Sequence, residues 1–357
     1  LITGSWESRI YRNNNGTFSD ISAGLQGTYS ASAEWGDYDN DGDLDVLLTE
    51  GSQTRIYNNN AGTFTDINAG LTGVRYCSAV WGDYDNDGDL DILLSGAGIS
   101  KIYRNDGSVF TDTMEPLTGL NYSSVAWGDY DNDGDLDVLL TGYNQYGTRV
   151  SKVFSNSNDS TFTERTEIIL PGVSESSAAW GDYDNDGDID ILLAGQSAAS
   201  TVVTKIYRNN AIMKAGDYQS NRMAADPGNL IAVRLPEGIR LSWSPVRSDE
   251  TPAGAMTYNL NIQPEAGGVM AMAAQADTVT GYRRIVSIGN VQTDTTFLIR
   301  NLTPGKYRWK VQAVDQGYRG GSWSVGPVIN AKNVQAFFDA DTVCRKQVTE
   351  FINRSTT

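Results

Sequence analysis

The residues best placed to do chemistry recur in one pattern, Trp-Gly-Asp-Tyr-Asp-Asn-Asp-Gly-Asp-Leu-Asp, which first runs from Trp35 to Asp45. It returns from Trp81 to Asp91, from Trp127 to Asp137, and from Trp180 to Asp190, where Ile189 replaces Leu. The first copy places Asp37, Asp39, Asp41, Asp43 and Asp45 at alternate positions, and the second Asp83, Asp85, Asp87, Asp89 and Asp91. The third holds Asp129, Asp131, Asp133, Asp135 and Asp137, and the fourth Asp182, Asp184, Asp186, Asp188 and Asp190. Carboxylates this close repel one another unless a hard cation lies among them. Calcium takes six to eight oxygen ligands from flexible, carboxylate-rich loops. All twenty aspartates are therefore candidate metal residues, at about four calcium sites. In the first copy the expected ligands are the side chains of Asp37, Asp39, Asp41 and Asp45 and the carbonyl of Asp43, with Gly42 permitting the sharp turn.

The loop is not an EF-hand, which needs a bidentate Glu at its twelfth position between two helices. That position is Leu48, Leu94, Leu140 and Leu193 in the four copies. Each loop ends in a short apolar run such as Val46-Leu47-Leu48, which reads as a buried strand. The ion would thus sit in a strand-to-strand connection.

Around each loop stand four apolar or aromatic segments. One such set is Asp45 to Thr49, Thr54 to Tyr57, Gly62 to Asp66, and Tyr76 to Trp81, the last leading into the next loop. Trp-to-Trp intervals of 46, 46 and 53 residues suit propeller blades or an array. The longest interval holds an enlarged hairpin, Tyr143 to Val150, and a second, Gln196 to Val202, follows the fourth loop. Long loops on a rigid scaffold are favoured binding sites, which makes Tyr143, Tyr146 and Arg149 candidates for partner contact. Ser176-Ser177-Ala178-Ala179 has the small residues expected of an inner strand. Trp35, Trp81, Trp127 and Trp180 are expected in the packing between units. Tyr38, Tyr84, Tyr130 and Tyr183 are expected to be more exposed. The repeat stops after Asn210, leaving a unit without its loop at the start and a truncated one at the end. Leu1-Ile2-Thr3-Gly4 matches Leu139-Leu140-Thr141-Gly142, so the chain reads as a fragment that starts inside a repeat.

The loop and strand together resemble the FG-GAP/VCBS repeat, which also forms the calcium-binding blades of integrin alpha-chain propellers. The resemblance covers about residues 1 to 210. It implies an all-β chain with a β-propeller of four-stranded blades carrying calcium loops. Such propellers run to about seven blades, so this one is partial or small. Residues 211–228 read as a linker. From 229 to 331 the pattern changes to alternating strands, Gly238 to Ser244 and Tyr258 to Ile262 among them. The Leu-Ser-Trp-Ser-Pro stretch at Leu241 and the Leu302-Thr303-Pro304-Gly305 to Asp315 stretch resemble a fibronectin type III domain, a β-sandwich. Its Leu302-to-Tyr307 spacing is one residue shorter than the usual tyrosine corner. Gly267 to Ala276 reads as a loop or edge insertion, and 332–357 as a tail without assigned structure.

The formal net charge of −17 would fall to about −9 with four calcium ions. An acidic surface without a Lys/Arg run is a poor partner for nucleic acid, and no apolar run approaches a membrane span. The chain has no histidine, which excludes Ser-His-Asp and Cys-His catalysis and His-ligated zinc. Of its two cysteines, Cys77 fills a position that is Ser123 in the next repeat, and a bridge to Cys344 is the minor alternative. No Arg-Gly-Asp sequence is present. The expectation is a non-catalytic, calcium-binding, secreted or cell-surface protein for adhesion or ligand binding, with a protein or glycan ligand. The alternative is the accessory region of a secreted polysaccharide-acting enzyme whose catalytic module lies outside this chain. A carboxylate hydrolase ranks third, because Glu34, Glu50, Glu115 and Glu175 have no recurring partner and a glycosidase pair is a spatial arrangement.

Overall fold

In the first complete unit, the apolar run after the aspartate loop pairs antiparallel with the strand before it, Gly36 opposite Asp45 and Ala33 opposite Leu48. The computed structural model describes residues 1–331 except 5, 15, 29, 42, 50, 158–160, 185–187, 199–200, 210–220, 236–237, 250, 268–270, 284–286 and 301. Beyond these it describes the backbone of two short paired strands, Phe338–Ala340 and Phe351–Asn353. The described residues form antiparallel sheets and no helix. None is therefore part of a helix long and apolar enough to cross a membrane.

The first complete sheet orders Ala33–Gly36, Asp45–Thr49, Thr54–Asn60 and Thr63–Asp66. The strand Ser78–Gly82 pairs with Asp91–Gly96 and so opens the next sheet, not the one the sequence grouping gave it to. The reason is local: the aspartate loop is the turn of a hairpin, and its two arms must share a ladder. The following units use Ile99–Asn105 and Phe110–Asp112, then Leu120–Gly128, Asp137–Asn144, Arg149–Ser155 and Thr163–Glu164. The last has Val173–Gly181, Asp190–Ser197 and Val202–Tyr207. Residues 1–20 contribute two hairpins, and Ile10 packs with Val46, Leu48 and Tyr57 of the first complete unit.

The units stack through aromatic rings. Trp81, Trp127 and Trp180 are buried, and each lies nearly parallel to the loop tyrosine of the preceding unit, Tyr38, Tyr84 and Tyr130 respectively. Those tyrosines are consequently buried, which corrects the expectation of exposure; only Tyr183, after which no further Trp-Gly-Asp motif follows, is exposed. Gly36 is required by this stacking, since an added Cβ would stand 2.6 Å from Trp81 Cδ1.

The described residues between 228 and 331 form two sheets over one core. Gly228–Leu235, Gly238–Ser244 and Thr296–Ile299 make one; Thr257–Pro264, Gly305–Val314, Ser324–Val325 and Ile329–Ala331 make the other. Leu241 and Trp243 of the first meet Tyr258, Leu260, Trp309 and Val311 of the second. Tyr307 is buried and its hydroxyl donates to the Thr303 carbonyl at 2.9 Å, tying the strand to the turn before it despite the shortened spacing.

Candidate metal centre

Each loop gathers carboxylates within 4.8 Å of one another: Asp37, Asp39 and Asp41; Asp83, Asp85 and Asp91; Asp129, Asp131 and Asp137; Asp182, Asp184 and Asp190. Gly42, Asp186 and Gly187 lie outside the described residues. The aspartates divide into roles. The first accepts from the loop backbone, as Asp83 does from Asp87 N and Gly88 N, both at 3.1 Å. The last bridges two strands: Asp91 accepts from Tyr84 N at 3.0 Å and Asn105 N at 2.8 Å. Asp45, Asp137 and Asp190 repeat that arrangement. The second differs. Oδ1 of Asp39, Asp85 and Asp131 is buried with no hydrogen-bond partner. A buried anionic oxygen without a partner is costly, and a cation among these groups would satisfy it. The donor set, all oxygen, fits a hard ion.

Electrostatics agree. Burial pushes the carboxyl of Asp45 up to about 8 and that of Asp91 up to about 9, with nearby carboxylates adding to the effect against the backbone donors. Asp85 is raised to about 6, by burial first and then by Asp87. The fourth loop is the odd one, for Arg208 Nε lies 2.6 Å from Asp184 Oδ2.

The penultimate aspartate turns elsewhere. Asp43 accepts from Ala61 N at 3.0 Å and from Arg300 Nη1 at 3.1 Å. Asp89 accepts from Asn40, Asp135 from Asn86 and Asp188 from Asn132, at 2.9, 2.8 and 3.0 Å. These three asparagines have φ of 56°, 61° and 58°, a conformation Asn tolerates better than most residues. Sequence reading passed over them, although Asn recurs at the same place in all four loops. A second set crosses units: Asn105, Asn156 and Asn209 donate to the carbonyls of Tyr38, Tyr84 and Tyr130 at 2.9, 2.9 and 2.8 Å.

The two-sheet module rests on these loops, which the sequence did not indicate. Gln292 Oε1 accepts from Asp37 N at 3.0 Å, and Thr293 donates to Gly88 O at 3.1 Å. Gln316 Nε2 donates to Asp83 O at 3.3 Å and to Asn86 Oδ1 at 2.9 Å. Tyr318 donates its hydroxyl to Trp127 O at 2.7 Å. Tyr318, Ser287 and Ile288 also line a cavity of about 230 Å³ with Trp35, Trp81, Trp127, Trp180 and Glu34.

Glu34 stands where the later units have Val80, Ala126 and Ala179. It accepts from Trp81 N at 2.8 Å, and burial pushes its carboxyl up to about 7. A raised carboxyl holds its proton more tightly in the folded state, so its stabilising contribution is complete below about pH 4 and is lost as pH rises through about 7. In saturating calcium, Glu34→Gln should flatten that dependence and melt later than the parent at pH 8, by on the order of 2 kcal/mol. Parallel pH profiles of melting for the two proteins would refute this. Of the other acids outside the loops, Glu115 accepts from Phe162 N, Glu175 is exposed, and Glu50 lies outside the described residues. Cys77 Sγ sits 3.0 Å from Thr49 Oγ1; Cys344 lies outside the described residues.

A model of the FG-GAP-like repeat matches residues 1–48, 37–94, 83–140 and 137–193. No curated protein matches the chain. Among solved structures, a lectin of Agrocybe aegerita, studied for recognition of non-reducing terminal N-acetylglucosamine, is 14% identical over 84% of this chain and 80% of its own, with a TM-score of 0.35. The SapL1 lectin, solved with alpha methyl fucoside, is 14% identical over 84% of this chain and 96% of its own, also with a TM-score of 0.35.

Proposed function

The chain belongs to the FG-GAP-like repeat family, whose matches span residues 1–193, and on that premise we propose that it is a non-catalytic, calcium-stabilised binding protein that works outside the cell. The repeat region is read as a partial or small propeller and the second module as a fibronectin type III-like sandwich. Units stacked Trp on Tyr around a shared cavity support the first reading, and the buried Trp243 with the Tyr307 turn contact supports the second.

The observation that carries the metal reading is the partnerless, buried Oδ1 of Asp39, Asp85 and Asp131 inside its carboxylate cluster. Bound calcium would supply the positive charge and the oxygen coordination that those groups call for. The chain's own part is to hold the carboxylates together. Backbone N–H groups orient the first aspartate of the first three loops and the last aspartate of all four, and the penultimate one fastens the second, third and fourth loops to the loop before and the first to Arg300. The sites are structural in this reading, and a protein or glycan ligand is taken up on the surface of the repeats.

Two substitutions separate the roles. Asp41→Ala removes a carboxylate of the cluster, and calorimetric titration should show one calcium site lost or weakened at least about tenfold. Asp43→Ala removes the contacts to Ala61 and Arg300 and should leave the number of ions bound unchanged. Equal loss of calcium from both variants would overturn the assignment.

A further inference from the structure

At the same position of each unit, ahead of the inner strand in the first two and within it in the last two, one residue occupies the left-handed region: Ser30 (φ 60°), Tyr76 (φ 50°), Tyr122 (φ 50°) and Glu175 (φ 47°). Their spacings of 46, 46 and 53 residues are those of the repeat itself. In the third and fourth units the position falls in a break of the ladder, between Asn121 and Ser124 and between Ser174 and Ser177. Bulges re-aim side chains. A positive φ is a genuine outlier for a bulky residue, and such strain gathers at sites where something over-determines it. The backbone here is shared property of the repeat, since Ser123 N donates to Tyr76 O of the preceding unit at 3.2 Å. The side chain displayed is free to differ, and two adjacent units display tyrosine.

The two rings stack with centroids 4.3 Å apart and planes 18° from parallel, yet Tyr76 remains 42% and Tyr122 37% exposed. Tyr143 meets Tyr122 edge-on at 6.1 Å, and the Arg149 guanidinium lies 4.7 Å from the centre of the Tyr143 ring. Arg149 is further held by Ser174 Oγ at 3.0 Å and Gln196 Oε1 at 2.9 Å. Both enlarged hairpins therefore contribute to one surface, Tyr143 and Arg149 from the first and Gln196 from the second.

We propose that Tyr76 and Tyr122, framed by Tyr143, Arg149, Glu175 and Gln196, form a platform for the terminal pyranose of a neutral glycan. This rests on the binding reading above and names its ligand class. A pyranose offers a C–H face that stacks on an aromatic ring and a rim of hydroxyls that both donate and accept. The frame supplies the complement: a guanidinium held in place and an amide nitrogen as donors, and a carboxylate as acceptor. Size favours a sugar over a folded partner. Two partly exposed tyrosines and their frame offer on the order of a few hundred Å², against roughly 800 Å² on each side of a stable protein–protein contact.

The test is an array of immobilised neutral glycans ending in hexose, N-acetylhexosamine or deoxyhexose, probed with the whole chain in calcium. Titration with the methyl glycoside of the strongest terminus follows. The parent should bind, and Tyr76→Ala with Tyr122→Ala should weaken binding by about tenfold or more. Tyr122→Trp, which keeps a stacking face, should retain it. Tyr282→Ala, at an exposed side chain of the two-sheet module, should change nothing. Calcium-dependent melting in every variant shows that the fold is intact. The platform is overturned if the folded parent binds none of these termini, if it binds only a protein, or if the double variant binds like the parent. None of those results touches the calcium assignment, which the loop titrations above decide separately.

Discussion

Withdrawing calcium should lower the stability of the repeat region by on the order of 5 kcal/mol. Extracellular calcium modules bind at roughly 10⁻⁴ to 10⁻³ M, and at ten times the dissociation constant each site adds about 1.4 kcal/mol by linkage. Four such sites approach the stability of a whole domain. The structure adds a reason for the loss to be shared rather than local. Asn40, Asn86 and Asn132 each fasten one loop to the next, so a loop whose carboxylates spring apart also loosens its neighbour. Thermal unfolding in calcium and in chelator is the measurement, and the expected result is one transition displaced as a unit. An unmoved transition would sink the metal reading.

The second large effect concerns the two-sheet module. Among the described residues, six hydrogen bonds join it to the repeats through Gln292, Thr293, Arg300, Gln316 and Tyr318, and four of these end within the first two aspartate loops on backbone or asparagine groups. At about 0.5–1.5 kcal/mol each, they are worth on the order of 3–9 kcal/mol together. A chelated protein should release this module, since the backbone of Asp37, Asp83 and Gly88 holds its place only while the carboxylates around it are neutralised. Small-angle scattering should show a larger radius of gyration in chelator than in calcium. Gln316→Ala with Tyr318→Ala should give the larger radius even in calcium, with the calcium stoichiometry unchanged. Equal radii in all three cases would show that docking is independent of the ion.

The carboxylate loops were legible because their chemistry is local: alternate aspartates, a glycine and an apolar strand lie within a dozen residues. The burial of Tyr38, Tyr84 and Tyr130 was not, because each is covered by a tryptophan from the next unit, and a loop tyrosine looks the same in sequence whether covered or bare. The division of labour among the five aspartates was half legible. Asp43 could be set apart from Asp41, but its contact with Arg300 spans 257 positions. The docking of Gln316 and Tyr318 is equally remote and leaves no periodic mark. The stacking of Tyr76 on Tyr122 had a fainter signal, two tyrosines one repeat apart, which gains meaning only once the bulge is seen.

The fastening between loops also has a direction. Each asparagine reaches forward, from its own loop to the penultimate aspartate of the following one, and on Asp43 the matching oxygen is taken by Arg300. A copied unit spliced between two existing ones would keep every donor matched to an acceptor, so the array can lengthen from within. A unit placed directly ahead of Asp37 would bring a rival amide to Asp43 and set it against the guanidinium. Arg300 thus holds on Asp43 the place that a loop asparagine takes on Asp89, Asp135 and Asp188.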